Sequence, residues 1–137
     1  MLIGRLTMMR RMFAMAAGLV MLAGGAGAAI ASPNGVWELD SRDTRIALQL
    51  CGDGTQLCGT LVWLSDVDYN KQYERFLNSP VASAIKQTGP NRWKGDMQLL
   101  GHKINGTITQ RSETQMTLQG CAFLVVCKTY QMFKVSE

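Results

Sequence analysis

From residue 44 onward the chain alternates between apolar and polar positions. Ile46, Leu48 and Leu50 interleave with Ala47 and Gln49, Ile104, Gly106 and Ile108 with Asn105, Thr107 and Thr109, and Met116, Leu118 and Gly120 with Gln115, Thr117 and Gln119. A period of two with one polar face marks half-buried antiparallel strands. Turn-forming stretches such as Cys51-Gly52-Asp53-Gly54, Leu100-Gly101 and Arg111-Ser112-Glu113-Thr114 separate the runs. Strands are predicted over 35–40, 44–51, 58–65, 81–87, 92–99, 102–110, 115–121 and 127–135. Asn105-Gly106 would suit a hairpin turn, yet Ile104 and Ile108 stay in phase across it, which keeps the pair inside a strand. Only Asp66 to Asn78 breaks the alternation: Tyr69, Tyr73 and Phe76 or Leu77 recur at helical spacing, predicting one short helical crossing before Pro80. The pattern predicts an all-β fold, a small up-and-down antiparallel barrel of seven to eight strands, with a β-sandwich as the alternative.

The first thirty or so residues follow another rule. Arg5, Arg10 and Arg11 precede an uncharged run of Met, Ala, Gly, Leu and Val from Met12 to Ala29, and two small-x-small sites follow, Ala26-Gly27-Ala28 and Ala29-Ile30-Ala31. This is the form of an export signal, with cleavage expected after Ala31 where Ser32-Pro33-Asn34-Gly35 begins. Residues 1–31 are thus read as signal peptide and 32–137 as a single β domain. An uncleaved anchor is the other reading of Met12 to Ala31, though its Ala- and Gly-rich centre partitions weakly into lipid. Arg10-Arg11 before Met12-Phe13 also resembles a twin-arginine signal, with Sec export as the default.

Cleavage changes the electrostatics. The whole chain has 14 basic and 10 acidic residues. All three leader cations leave and no acid does, so the mature balance is +1. A nucleic-acid binder needs clustered cations to displace counterions from phosphates. Here the remaining Lys and Arg are scattered among acids, which excludes that class.

All four cysteines, Cys51, Cys58, Cys121 and Cys127, lie beyond the leader. An even count in a short exported chain reads as a disulfide framework, and of three possible pairings the two local ones, Cys51–Cys58 and Cys121–Cys127, are expected. The separations are wider than a zinc knuckle uses, and a thioredoxin-like centre would need Cys-x-x-Cys. No metal or cofactor is expected.

Candidate chemistry is sparse. Asp66-x-Asp68-x-Asn70 opens like a calcium loop, but Lys71 stands where Gly is needed and Leu77 where a bidentate Glu is needed, so the acids read as turn and helix caps. His102 is the only histidine and has no nucleophile motif beside it, so it reads as a surface residue. Asp66, Asp68 and Glu74 are near enough in sequence to imagine an acid/base pair, with no sign of the desolvation such a pair requires. No catalytic residue is assigned. Trp37, Trp63 and Trp93 are expected as core residues or barrel plugs. Should the lumen hold a small ligand, Trp63, Asp66, Asp68, Asn70 and Trp93 are the candidates to touch it.

The region 34–135 resembles a bacterial exported family known as domain of unknown function 2147. Gly35-x-Trp37, Cys51-Gly52-Asp53-Gly54, Cys58-Gly59, Leu61-Val62-Trp63-Leu64, Asp68-x-Asn70, Trp93-x-Gly95, Gly101-x-Lys103 and Gly120-Cys121 carry the likeness. Two places depart from it: Ile104 stands where the family has a Tyr, and Met132-Phe133-Lys134 replaces a Trp-Thr-Arg run. The resemblance implies a lipocalin-like barrel outside the cytoplasm and supplies no reaction. It also suggests how the barrel closes, since in lipocalin-like proteins a basic side chain from the last strand covers the tryptophan of the first Gly-x-Trp. Lys134 is the residue placed to cover Trp37.

These readings lead to a monomeric, periplasmic, non-enzymatic module that takes an unknown small molecule or an envelope partner, without a membrane span after cleavage. An envelope hydrolase using the carboxylates of the 66–74 loop is the alternative. Intact-mass measurement of the exported product should give a chain beginning at Ser32. A membrane-held product that retains Arg10 and Arg11 would refute the cleavage site.

Overall fold

The computed structural model describes residues 32–66, 71–122 and 126–137. Eight antiparallel strands close into one barrel in chain order: β1 (Gly35–Leu39), β2 (Thr44–Cys51), β3 (Gln56–Leu64), β4 (Pro80–Gly89), β5 (Arg92–Leu99), β6 (His102–Gln110), β7 (Gln115–Ala122) and β8 (Val126–Ser136). One 3₁₀ turn, Glu74–Phe76, lies in the crossing between β3 and β4. Asn105 and Gly106 are inside β6, paired with Asp96 and Gly95 on one side and Cys121 and Gly120 on the other.

Alternation sends one face of every strand into the lumen. Trp37, Ile46, Leu48, Leu57, Leu61, Trp93, Met97, Ile108, Met116, Leu118 and Met132 are buried there, while Thr107, Thr117, Gln119 and Thr129 of the same strands face outward. An apolar lumen with a polar outer wall is the inverse of a barrel that spans a membrane. Among the described residues no helix is long and apolar enough to cross a bilayer.

Eight strands leave an interior that side chains can only just fill, so bulk must be rationed. Gly95, Gly106 and Gly120 stand side by side in one cross-strand row of β5, β6 and β7. Neighbouring side chains occupy the space: a β-carbon on Gly95 would sit 3.0 Å from Ile85 Cγ2, one on Gly106 2.9 Å from Met97 Cε, and one on Gly120 2.9 Å from Ile104 Cδ1.

The two ends of the barrel differ. At one end Trp37 is fully buried and its indole Nε1 donates to the carbonyl of Pro33 at 2.9 Å. Asn34 Oδ1 accepts from the Leu50 amide at 2.8 Å, so residues 33 and 34 are laid across this end. Trp93 fills it from the other side, its Nε1 donating to the Thr55 carbonyl at 2.7 Å. The side-chain amide of buried Gln110 donates to the Ser112 carbonyl at 3.2 Å. At the other end, where the β3–β4 crossing lies, the described residues leave two hollows.

Closure rests on β1 and β8, which pair through Trp37↔Lys134 and Leu39↔Met132. Lys134 Nζ lies 5.4 Å from the centre of the Trp37 indole and 3.4 Å from the Glu137 carboxylate. Gly35 has φ +144°, and a β-carbon there would meet the Ser136 carbonyl oxygen at 2.8 Å and Lys134 Cε at 3.1 Å. The glycine two residues before the tryptophan thus makes room for the lysine stem.

Both disulfides link sequence-adjacent strands. Cys51–Cys58 clips the β2–β3 hairpin and Cys121–Cys127 joins directly opposed residues of β7 and β8. Each closes a short loop and stabilises by about 2.5 kcal/mol in the chain-entropy model. In the turn within the first, Asp53 accepts from the Thr55 hydroxyl at 2.6 Å and the Thr55 amide at 2.9 Å. These bonds, the hydroxyl's first, hold its carboxyl below the ordinary range. The turn therefore gains from the ionised carboxylate at neutral pH and loses that gain as pH falls through the lowered value.

One tryptophan departs from the plug expectation. A bulge sets Arg45 opposite Trp63 and Ile46 opposite Leu61, so Val62 is an extra residue and the phase of β3 reverses. Trp63 consequently faces outward, half-buried under Arg45, whose guanidinium carbon lies 4.3 Å from the ring centre while its Nε donates to Glu38 at 2.7 Å.

Lys134→Ala should lower stability by about 0.5–1 kcal/mol from the lost cation–π contact, with a further loss from its packed stem, whereas Lys134→Arg should preserve or raise it. Thermal melting of the two variants compares them directly, and equal melting for alanine and wild type would contradict this account of closure. Gly95→Ala should cost about 1–3 kcal/mol, because the Ile85 β-branch cannot swing away from the new methyl. A chemical denaturation midpoint at or above wild type would show that the glycine row is not sterically required.

Candidate functional site

Two hollows flank the crossing at its end of the barrel. The first, of about 310 Å³, is built from the ends of β5 and β7 and the starts of β6 and β8, the four strands whose turns surround the mouth. Leu99, Ile104, Ala122 and Val126 give it an apolar wall. Gly120 forms part of the floor, and because it lacks a side chain Ile104 can fold across it. Tyr73 from the crossing and Tyr130 from β8 add aromatic surface. The polar groups are few: His102 at the start of β6 and Lys128 on β8, with Lys128 Nζ 5.2 Å from the centre of the Tyr130 ring. Both are exposed at the rim.

The second hollow, of about 410 Å³, opens where β4 parts from β5. Pairing jumps from Ala82↔Met97 to Lys86↔Lys94, with Ala84 at φ +52° between them. Leu61, Val81 and Met97 form its base and Asp96 and Lys103 stand at its edge. Phe76 lines this hollow and not the first, and Leu100 borders both. The ring of Phe76 sits on the Leu100–Gly101 turn, where a β-carbon on Gly101, at φ +85°, would come 2.8 Å from Cζ. The crossing is thereby pinned to the β5–β6 turn, and the mouth is divided in two.

The residues proposed from sequence scatter. Trp63 is on the outer wall under Arg45 and borders neither hollow. Trp93 is buried at the closed end, beside a depression of about 210 Å³ that Pro33 and Leu50 also line. Asp66 is exposed at the start of the crossing, and Asp68 and Asn70 lie outside the described residues. Glu74, the remaining acid of the alternative hydrolase, is also exposed. What sequence reasoning missed is the mouth itself. Its signal was present in the phase: Ile104 is in register with the inward Gly106 and Ile108, and Tyr130 and Lys128 are in register with the inward Met132.

The described residues thus form a closed eight-stranded barrel, plugged by tryptophans at one end and bearing two hollows at the other, the first of them mostly apolar with a few polar groups at its rim. No protein-family model matches the chain, and no curated protein or solved structure matches it either.

Proposed function

We propose that the protein is a non-enzymatic binder of a small, largely apolar molecule carrying an acidic group, which it holds at the end of the barrel where the crossing lies. The single observation behind this reading is the cavity of about 310 Å³ with an apolar wall and two cationic or titratable side chains, Lys128 and His102, at its rim. That volume is at the lower end of the range used for small ligands. An apolar body would rest on Leu99, Ile104 and Ala122, and an anionic head would reach Lys128, whose position over Tyr130 holds it at the edge of the cavity.

The two disulfides suit an oxidising compartment. Together with the leader pattern over residues 1–31 they support the finer proposal that the mature domain acts in the periplasm. The motifs running from Gly35-x-Trp37 to Gly120-Cys121 support membership of the family known as domain of unknown function 2147 as part of the same proposal.

Anilinonaphthalene sulfonate, an aromatic body with one anionic group, is a suitable probe. The folded protein should enhance its emission saturably; Ala122→Trp should abolish the effect by filling the cavity, and Lys128→Gln should weaken binding about five- to tenfold through loss of a charged partner. The combined change Asp66→Asn, Asp68→Asn and Glu74→Gln should leave binding unaltered. Dye binding that survives Ala122→Trp, with near-ultraviolet circular dichroism confirming a native fold, would place the site elsewhere.

A further inference from the structure

The outer wall of β5–β8 carries a second feature, remote from the mouth in kind and in position. Two cross-strand rows run over it: Lys94, Thr107, Gln119 and Thr129 in one, and Arg92, Thr109, Thr117 and Gln131 in the other. Together with Thr88 and Arg111 these residues enclose a hollow of about 670 Å³, and neither a carboxylate nor an aromatic ring lines it. A barrel wall curves outward across its strands, so a hollow of this size on that wall has to be built by the side chains. Threonine serves in strands for its β-branched shape alone, which accounts for single outward threonines but not for a concave field whose surface is mostly polar.

The chemistry of the field is directional. Lys94 and Arg92 on β5 and Arg111 just after β6 place three cations along one side, and none of them forms an ion pair among the described residues. The β7 and β8 side is neutral, offering Thr and Gln groups that both donate and accept. Threonine side chains are stiff at χ1, so their hydroxyls are held in place before any ligand arrives. Four strands set these groups at about 4.8 Å intervals over about 14 Å. The next row towards the mouth begins with Asp96, which accepts from Asn105 Nδ2 at 3.2 Å and bounds the cationic edge with a negative charge.

We propose that this hollow binds a short segment of an acidic glycan, with its carboxylate or phosphate on Arg92, Lys94 and Arg111 and its hydroxyls on the Thr and Gln rows. Closely spaced hydroxyls are what a field of mixed donors and acceptors can match one for one. Single-stranded nucleic acid would bring phosphates too, but it draws on aromatic stacking platforms, and here there is none. This site is independent of the proposed mouth ligand, and either can fail without the other.

The test uses protein produced from the full chain and a trisaccharide of uronic acids as probe, followed by calorimetry and backbone amide NMR. The trisaccharide should bind with a dissociation constant below about 1 mM and shift the amides of Thr107, Thr109, Thr117 and Thr129, while neutral maltotriose binds at least about tenfold more weakly. Arg92→Gln with Lys94→Gln should weaken the trisaccharide about tenfold or more. Thr107→Val with Thr109→Val keeps the β-branching of the strand and so its folding, and should weaken binding about fivefold through loss of two hydroxyls. No localised shifts with the trisaccharide would overturn the proposal. So would inorganic phosphate binding as tightly, which would reduce the site to its cations, or an oligodeoxythymidylate binding more tightly, which would assign the face to nucleic acid.

Discussion

The whole architecture depends on the meeting of β1 and β8. Every other strand pair joins neighbours in the sequence, whereas this one brings together residues nearly a hundred positions apart and removes the last two open edges. Trp37 is the piece that makes it specific. Its ring is buried at the plugged end, its nitrogen is satisfied by Pro33, and Lys134 of β8 covers one face. Gly35 is required because the lysine stem and the Ser136 carbonyl occupy the place of a side chain. One cross-strand contact therefore ties the strand order, the plug and the glycine together.

From that plug follows the asymmetry of the barrel. Large side chains, Trp37, Trp93 and Met116, fill one end, and the central glycine row admits Ile85, Met97 and Ile104 from neighbouring positions. Little bulk is then supplied by Gly120 and Ala122 at the opposite end, and the wall there stays hollow. The candidate site is the place where the filling stops.

Most of the fold was legible because alternation is a local signal and the turns between strands are short. Predicted and observed bounds agree for β2, β5 and β6, while β1 and β7 differ by one residue at one end and β8 by one residue at each end. The largest shift is at β3 and β4, which flank the crossing and whose pairing is irregular. Trp63 was misplaced because a bulge adds one residue against Arg45, and a strict period of two carries no mark of the insertion. The mouth was legible only in the inward phase of its residues, and the hollow itself was not, for a different reason. Leu99, Ile104, Ala122 and Lys128 come from four strands, and nothing in their spacing says that the lumen between them is left unfilled. His102 read as an ordinary surface residue, and it is indeed exposed, as is Lys128; only the closed topology puts both at one rim.

The placement of the sulfurs bears on the order of events during maturation. Cys51 and Cys58 are seven residues apart and Cys121 and Cys127 six, each pair spanning a single hairpin. Hairpins form in microseconds, whereas the closing of β1 on β8 requires nearly the whole chain to be present. Oxidation thus has no need to wait for the finished barrel. Each cysteine meets its partner as soon as its own hairpin exists, so in an oxidising compartment both covalent links can lock before the barrel closes, with little opportunity for mispairing.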